Sequence, residues 1–211
     1  GIMDQLISAM GLQNHAMLLD CKYLSFEEAL IPDDLTLFIV NSNVKRGLVD
    51  SEYNLRRQQC EQVAKYFDVS TLRDVSLEQL NSVQEQIDPL LLKRARHVIT
   101  ENSRAVATLD ALKSNDMAAI SIAMKESHAS LRDDFEVTTK EMDGLVEIID
   151  GVLGINGGVR MTGGGFGGCV VALVPSSMLI QVKNAVNSNY EKIFGIKPSI
   201  YQCTATQGAF R

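Results

Sequence analysis

The chain has 211 residues, enough to bury a hydrophobic core without disulfides or bound metals. Hydrophobic residues make up 45% of it and charged residues 22%, a composition typical of folded globular proteins, which excludes intrinsic disorder. No apolar stretch is long enough to span a membrane, and a net charge of -6 offers no positive field for nucleic acid. We therefore expect neither a membrane nor a nucleic acid as a partner.

Cysteine usage indicates a reducing compartment. The four cysteines are far apart, and none forms the CxxC pair of a zinc or redox site: Cys21, Cys60, Cys169 and Cys203. Each lies in a largely apolar run, where a thiol usually packs as a small buried hydrophobe. The first residues carry neither a secretory signal nor a lipidation motif, so we expect a cytoplasmic protein.

The first third of the sequence is predicted to mix helix and strand. A short amphipathic helix over residues 4–10 ends at Gly11, a residue type that commonly follows a helix. Apolar runs at residues 15–19 and 35–40 predict two strands, and the turn-forming residues 31–34 connect them.

Capping residues divide the middle of the sequence into helices. Ser51 is the predicted cap of the first, and Ser76 with Gln79 forms a capping box for the second. Asp88 followed by Pro89 begins a long helix that continues to residue 113. The buried face of this long helix is predicted from helical spacing as Leu91, Ala95, Val98, Asn102, Val106 and Leu109.

Two shorter helices follow, at residues 116–129 and 138–153, the second with a capping box of Thr138 and Glu141. The polar residues 127–134 lie where the first of these helices is predicted to end. They form either a solvated helix end, which is the more common case, or the wall of a polar cavity.

The last quarter of the sequence contains most of the predicted strands. Strands at residues 159–162 and 169–174 flank a glycine loop, and a strand at 199–204 follows a helix that begins at Pro175 and Ser176. Together the elements predict an α+β fold in which one helix layer packs on one mainly antiparallel sheet.

The glycine loop, residues 163–168, matches the GxGxxG spacing of dinucleotide-binding proteins. That interpretation fails because the loop is followed by a strand rather than a helix. A phosphate-binding P-loop fails too, since Cys169 stands where a lysine is required. Either the loop exposes backbone amides to a ligand or it is a tight hairpin; we favour ligand contact, since a two-residue turn needs fewer glycines. Phe166 is expected to pack.

Asp4, taken by itself, is most simply an acid that interacts favourably with the start of a helix. The three histidines share no spacing typical of metal ligands, so no metal site is predicted: His15, His97 and His128.

Five segments, taken together and in order, resemble the successive landmarks of galactokinases, which belong to the GHMP class of small-molecule kinases. They are residues 1–11 (GIMDQLISAMG), 15–21 (HAMLLDC), 51–57 (SEYNLRR), 127–136 (SHASLRDDFE) and 158–169 (GVRMTGGGFGGC). The resemblance extends over almost the whole chain.

The resemblance implies roles for particular residues. Asp4 would face the anomeric hydroxyl of the sugar as catalytic base, and Tyr53 and Gly1 would contact the sugar. The glycines of the loop would lie along the wall where sugar and phosphates meet: Gly163, Gly164, Gly165 and Gly167.

The motifs that GHMP kinases carry before this region have no counterpart in the sequence. The resemblance therefore implies a C-terminal portion, with residues 1–42 a remnant of the N-terminal kinase domain and residues 43–211 a GHMP-type C-terminal domain. The complete protein would use ATP and Mg²⁺ to phosphorylate α-D-galactose to galactose 1-phosphate. The isolated chain is expected to be inactive and to expose Ile2, Leu6 and Ile7, where the N-terminal half would dock.

Two alternatives stay open. A galactokinase-like sensor would bind sugar and nucleotide without turnover and recruit a regulatory partner. Another GHMP kinase would act on a different sugar or alcohol, although SEYN and SHASLRDDFE together favour galactose.

Overall fold

The computed structural model describes residues 2–44 and 49–211. Its elements follow in chain order, with short 3₁₀ turns at Leu72–Asp74 and Ser176–Met178. They are α1 (Ile2–Met10), β1 (His15–Asp20), β2 (Ser25–Leu30), β3 (Leu35–Asn41), α2 (Val49–Tyr66), α3 (Leu77–Ser82), α4 (Pro89–Lys113), α5 (Met117–Asp133), α6 (Lys140–Leu153), β4 (Gly158–Thr162), β5 (Cys169–Pro175), α7 (Leu179–Phe194) and β6 (Ser199–Cys203).

The strands form two antiparallel sheets, which confirms the α+β prediction but adds a second sheet. Four strands pair in the order β4-β5-β3-β6, and β1 pairs with β2 in a separate hairpin. The prediction of a single sheet layer missed β2, in which Ala29 alone is buried and two consecutive glutamates, Glu27 and Glu28, interrupt the apolar pattern. β3, which ends at Asn41, pairs with both β5 and β6. The domain boundary between residues 42 and 43 stays a prediction.

Helix caps are partly as predicted. The capping box of Ser76 and Gln79 forms with both of its hydrogen bonds, and the Asp88 carboxylate accepts from the amide of Leu90. Ser51 is not a cap, because α2 begins at Val49. The cap of α6 is Thr139, one residue later than predicted.

The buried face of α4 agrees in part with the predicted one. Val106 is 48% exposed, whereas Arg94 and His97 are buried. Ala95 and Leu109 are buried as predicted. The prediction was therefore right for most of the face, and it missed that two polar side chains also face the interior.

Three clusters of buried side chains form the core. The largest lies between the four-stranded sheet and helices α6 and α7, and Phe38 at its centre is completely buried. The second joins α2, α3 and α4, and the third lies where α4 and α5 meet the sheets. Tyr190 is fully buried in the first cluster, where it donates a 2.9 Å hydrogen bond to the carbonyl of Ser42; burial raises its pKa to about 12.

The cysteines are free thiols. Cys60, Cys169 and Cys203 are half-buried, but Cys21 is exposed beyond the end of β1, so the prediction of a buried thiol is wrong there. Within the described ranges, no helix is both long and apolar enough to cross a membrane.

Candidate functional site

The glycine loop connects β4 to β5, whose flanking residues Thr162 and Cys169 are paired. Its backbone adopts left-handed φ angles at four glycines and at Phe166: Gly163 83°, Gly165 81°, Phe166 56°, Gly167 116° and Gly168 99°. Glycine reaches such angles without steric cost, whereas other residues are strained there. The composition of the loop therefore follows largely from its conformation.

Gly165 is the position where the loop meets the rest of the protein most closely. A Cβ there would lie 2.3 Å from the carbonyl oxygen of Val137, so no side chain fits. The amide of Phe166 donates a 2.7 Å hydrogen bond to the same oxygen. Gly165 and Gly167 are buried, whereas Gly163 is exposed and Gly164 half-buried. Packing against Val137 explains Gly165, and ligand contact by the loop stays a prediction.

Arg56 of α2 holds the segment that precedes Val137. Its guanidinium donates hydrogen bonds to the carbonyls of Phe135 (2.7 Å) and Glu136 (3.0 Å), and it lies 5.7 Å from the centre of the Phe166 ring. Burial lowers the pKa of Arg56, but an arginine keeps its charge in proteins. This single side chain therefore connects α2 to both the segment 134–137 and the glycine loop.

Arg94 of α4 holds the same segment from the other side. Its guanidinium donates to the carbonyl of Asp134 and to the carboxylate of Glu136, the latter at 2.7 Å. The hydrogen bond from Arg94 lowers the pKa of Glu136. Three consecutive carbonyls, at residues 134, 135 and 136, thus each accept a hydrogen bond from a buried guanidinium.

Residues 127–133 are the last turns of α5, and Asp134 is its C-cap. Arg132 and Asp133 are exposed, as the interpretation as a solvated helix end predicts. Ser127 is buried and lines a cavity of about 320 Å³ whose other lining residues are mostly apolar, so it matches the alternative of a polar cavity wall only in part. Ser130 is also buried, with its hydroxyl 3.0 Å from His97 Nδ1 and 3.0 Å from the Asp134 carboxylate. The His97 ring stacks on Phe135, and burial lowers its pKa to about 4, so it is neutral at pH 7.

Tyr53 lies one turn before Arg56 on α2, and its side chain is 59% exposed. Arg56 is hydrogen-bonded to the segment 134–137, which in turn packs against the glycine loop. The helix that carries Tyr53, this segment and the loop are therefore in contact with one another. Three of the five resembling segments therefore meet in space. Sequence reasoning missed Arg56 and Arg94, because a charged helix residue is expected to be exposed unless its distant partner is known.

Asp4 lies in the first turn of α1 and is exposed. Within residues 2–44 and 49–211, its carboxylate makes no hydrogen bond or ion pair with another side chain. Ile2 is 40% and Ile7 39% exposed, as predicted, whereas Leu6 is half-buried. Gly1, the other predicted sugar contact at this end, lies outside the described residues.

The metal chemistry implied by the resemblance requires side chains that can ligate a cation. In the part of the chain that the structure describes, no group of three or more His, Cys, Asp and Glu residues could hold a metal ion. The described residues therefore supply no complete metal centre of their own.

Comparison with known proteins adds two kinds of similarity. Residues 108–192 match the family described as GHMP kinases C terminal. Galactokinase from Lactococcus lactis, solved in complex with galactose, superposes with a TM-score of 0.91 at 34% identity, covering 99% of this chain and 55% of its own.

More distant structures share the fold alone. The mevalonate kinase of L. major has a TM-score of 0.54 at 16% identity, covering 88% of this chain and 46% of its own. The phosphomevalonate kinase of Streptococcus pneumoniae has a TM-score of 0.52 at 14% identity, covering 86% of this chain and 43% of its own. The chain thus spans about half the length of these proteins. It belongs to the GHMP kinases, and in sequence and fold it is similar to the C-terminal portion of a galactokinase.

Proposed function

We propose that the complete protein phosphorylates α-D-galactose at its anomeric hydroxyl, with ATP as phosphoryl donor. The observation that carries the proposal is the similarity to L. lactis galactokinase over 99% of the chain at a TM-score of 0.91. The mevalonate and phosphomevalonate kinases share the fold at far lower identity, which favours a sugar over those substrates. We further propose a cytoplasmic protein whose N-terminal half supplies the remaining ligands of ATP and Mg²⁺.

Asp4 is proposed as the general base. A carboxylate within hydrogen-bond reach accepts the proton of the anomeric hydroxyl as its oxygen bonds to the γ-phosphorus of ATP. The bond from this phosphorus to the bridging oxygen breaks, and ADP leaves. Since phosphoryl transfer depends mostly on positioning and charge, Asp4 also orients the hydroxyl. Its carboxylate is exposed and, among the residues that the structure describes, makes no hydrogen bond or ion pair with another side chain, which suits this role.

Tyr53, Gly1 and the glycine loop are proposed to border the sugar. Tyr53 is exposed on α2, and Arg56 fixes that helix relative to the loop. Gly163 and Gly164 are the more accessible loop positions and can approach a ligand with their backbone, whereas the buried Gly165 and Gly167 shape the loop.

The decisive experiment is Asp4→Asn in the complete protein. We expect galactose affinity to change by less than about fivefold, because size and polarity are kept, and kcat to fall by about two to four orders of magnitude. Asp33→Asn, an exposed acid in the turn between β2 and β3, is the matched control and should leave kcat unchanged.

Galactose-dependent ADP release and galactose binding are both measured. An Asp4→Asn enzyme that keeps more than about half of the parental kcat would contradict the assigned role, since a positioned base contributes far more. Binding of galactose by the unmodified complete protein without any ADP release would favour the sensor alternative.

A further inference from the structure

Helix α1, which carries Asp4, has no buried residue, so it is not anchored by side chains in the core. Its last carbonyls are instead occupied by the segment 205–211, here named the closing segment. The amide of Ala209 donates to the carbonyl of Ser8 (3.0 Å), and that of Phe210 donates to the carbonyl of Ala9 (2.9 Å). The last carbonyls of a helix have no donor within the helix and need one from another part of the chain.

The contact continues beyond the helix. The amide of Gly208 donates a 2.8 Å hydrogen bond to the carbonyl of Gly11. Further along, the amide of Gln13 donates to the side-chain oxygen of Gln207 at 3.2 Å, and the amide of Asn14 to the carbonyl of Ala205 at 3.0 Å. The closing segment therefore follows the backbone from the end of α1 to the start of β1.

Gly208 permits this close approach. A Cβ at that position would lie 2.7 Å from the carbonyl oxygen of Ala9 and 2.7 Å from the amide nitrogen of Gly11. Both are backbone atoms, which cannot move aside as a flexible side chain can. Any larger residue must separate the two segments.

The closing segment is itself fixed at both ends. It directly follows β6, which pairs with β3 in the four-stranded sheet. At its other end, the Arg211 guanidinium lies 3.1 Å from the Glu28 carboxylate and 5.3 Å from the centre of the Phe26 ring. A hydrogen-bonded path thus runs from the sheet through the closing segment to α1.

We propose that the closing segment is a positioning element for the reaction, with Gly208 as its essential residue: it holds α1, and thereby Asp4, in place relative to the sheet. This inference rests on the proposed function. Residues far from Asp4 in sequence would thus affect kcat by fixing the position of its carboxylate. A displacement of about 1 Å at a reacting group can lower the rate about a hundredfold.

The test is Gly208→Ala in the complete protein, with Gly151→Ala as matched control. A Cβ at Gly151 meets nothing within 4 Å, so the control makes the same chemical change in open space. Two quantities are measured: hydrogen exchange of the amides in residues 2–11 and 208–210, and steady-state kinetics with galactose. Gln207→Ala, which removes only the acceptor for Gln13, is a milder second variant.

For Gly208→Ala we expect exchange in both segments to accelerate, and kcat to fall at least about tenfold while KM for galactose stays within about threefold. Gly151→Ala should leave all of these unchanged. Gln207→Ala should shift exchange and kcat in the same direction by about two- to threefold, and it decides the matter if Gly208→Ala does not fold.

The positioning role is overturned if the Gly208→Ala enzyme keeps the parental kcat although its amide hydrogen exchange is accelerated. It is also overturned if amide hydrogen exchange in Gly208→Ala is the same as in the parental protein. A Gln207→Ala enzyme in which both kcat and amide hydrogen exchange equal the parental values also overturns the positioning role. A complete protein that shows no galactose-dependent ADP release even when unmodified refutes the proposed function itself, and this inference with it. The two failures are therefore distinguishable.

Discussion

Replacement of Gly165 by alanine should lower the free energy of unfolding by about 3 kcal/mol. A left-handed φ of 81° costs a non-glycine residue about 1 kcal/mol. The new Cβ would lie 2.3 Å from the Val137 oxygen, so the loop must move and break the 2.7 Å hydrogen bond from Phe166. Loss of that bond, with a buried carbonyl left unpaired, adds about 2 kcal/mol.

Two other glycines separate these contributions. Gly195 also has a left-handed φ of 67°, but a Cβ there meets nothing within 4 Å, so Gly195→Ala should cost only about 1 kcal/mol. Gly151 lies inside α6 in open space, and Gly151→Ala should stabilise by about 0.5–1 kcal/mol through helix propensity.

Urea unfolding of the 211-residue chain, followed by circular dichroism and linear extrapolation, measures all three variants. The expected order of destabilisation is Gly165→Ala, then Gly195→Ala, then Gly151→Ala. If Gly165→Ala lowers the free energy of unfolding no more than Gly195→Ala does, the loop can move away from Val137 at little cost. The close approach to Val137 then does not fix the position of the loop.

Two further predictions concern the polar cluster behind the loop. Arg56→Lys should lower the free energy of unfolding by about 2 kcal/mol, because a lysine ammonium cannot replace the fixed pair of hydrogen bonds to the carbonyls of Phe135 and Glu136. Arg57→Lys, at an exposed position, is the control and should change the free energy of unfolding, measured with urea, by less than about 0.5 kcal/mol. Equal losses in the two variants would contradict this prediction. The pKa of His97 is about 4 in the folded protein, against an ordinary 6.5, so between these pH values His97 is protonated in the unfolded chain and neutral in the folded one. The free energy of unfolding should therefore fall as the pH drops from about 6.5 toward 4. His97 should contribute about 2 kcal/mol to the difference between the free energies of unfolding measured with urea at pH about 7 and about 5. His97→Gln should remove that contribution, and a variant with the parental dependence of stability on pH would refute the assignment.

Local interactions made much of the fold readable from the sequence. The caps at Ser76 and Asp88 depend on a side chain and on amides two or three residues away, and both formed as predicted. The glycine loop and its two flanking strands were also predictable, because left-handed backbone selects glycine and buried strands select apolar residues. The motifs around these elements carried the resemblance to galactokinases, which the comparison with the L. lactis enzyme confirmed.

The remaining features needed the tertiary structure, because their partners are distant in sequence. Arg56 is buried only because two carbonyls 79 and 80 residues later are aimed at it, and nothing near position 56 indicates this. The same holds for Arg94, whose carbonyl partner at Asp134 lies 40 residues later, and for Glu28, which is half-buried beside Arg211, 183 residues later. A charge can be buried only where the folded chain provides a partner, since the desolvation cost is otherwise prohibitive. The sequence alone determined most of the helices and strands, although not β2, and the family to which the chain belongs. The assembled fold decided which polar side chains are buried.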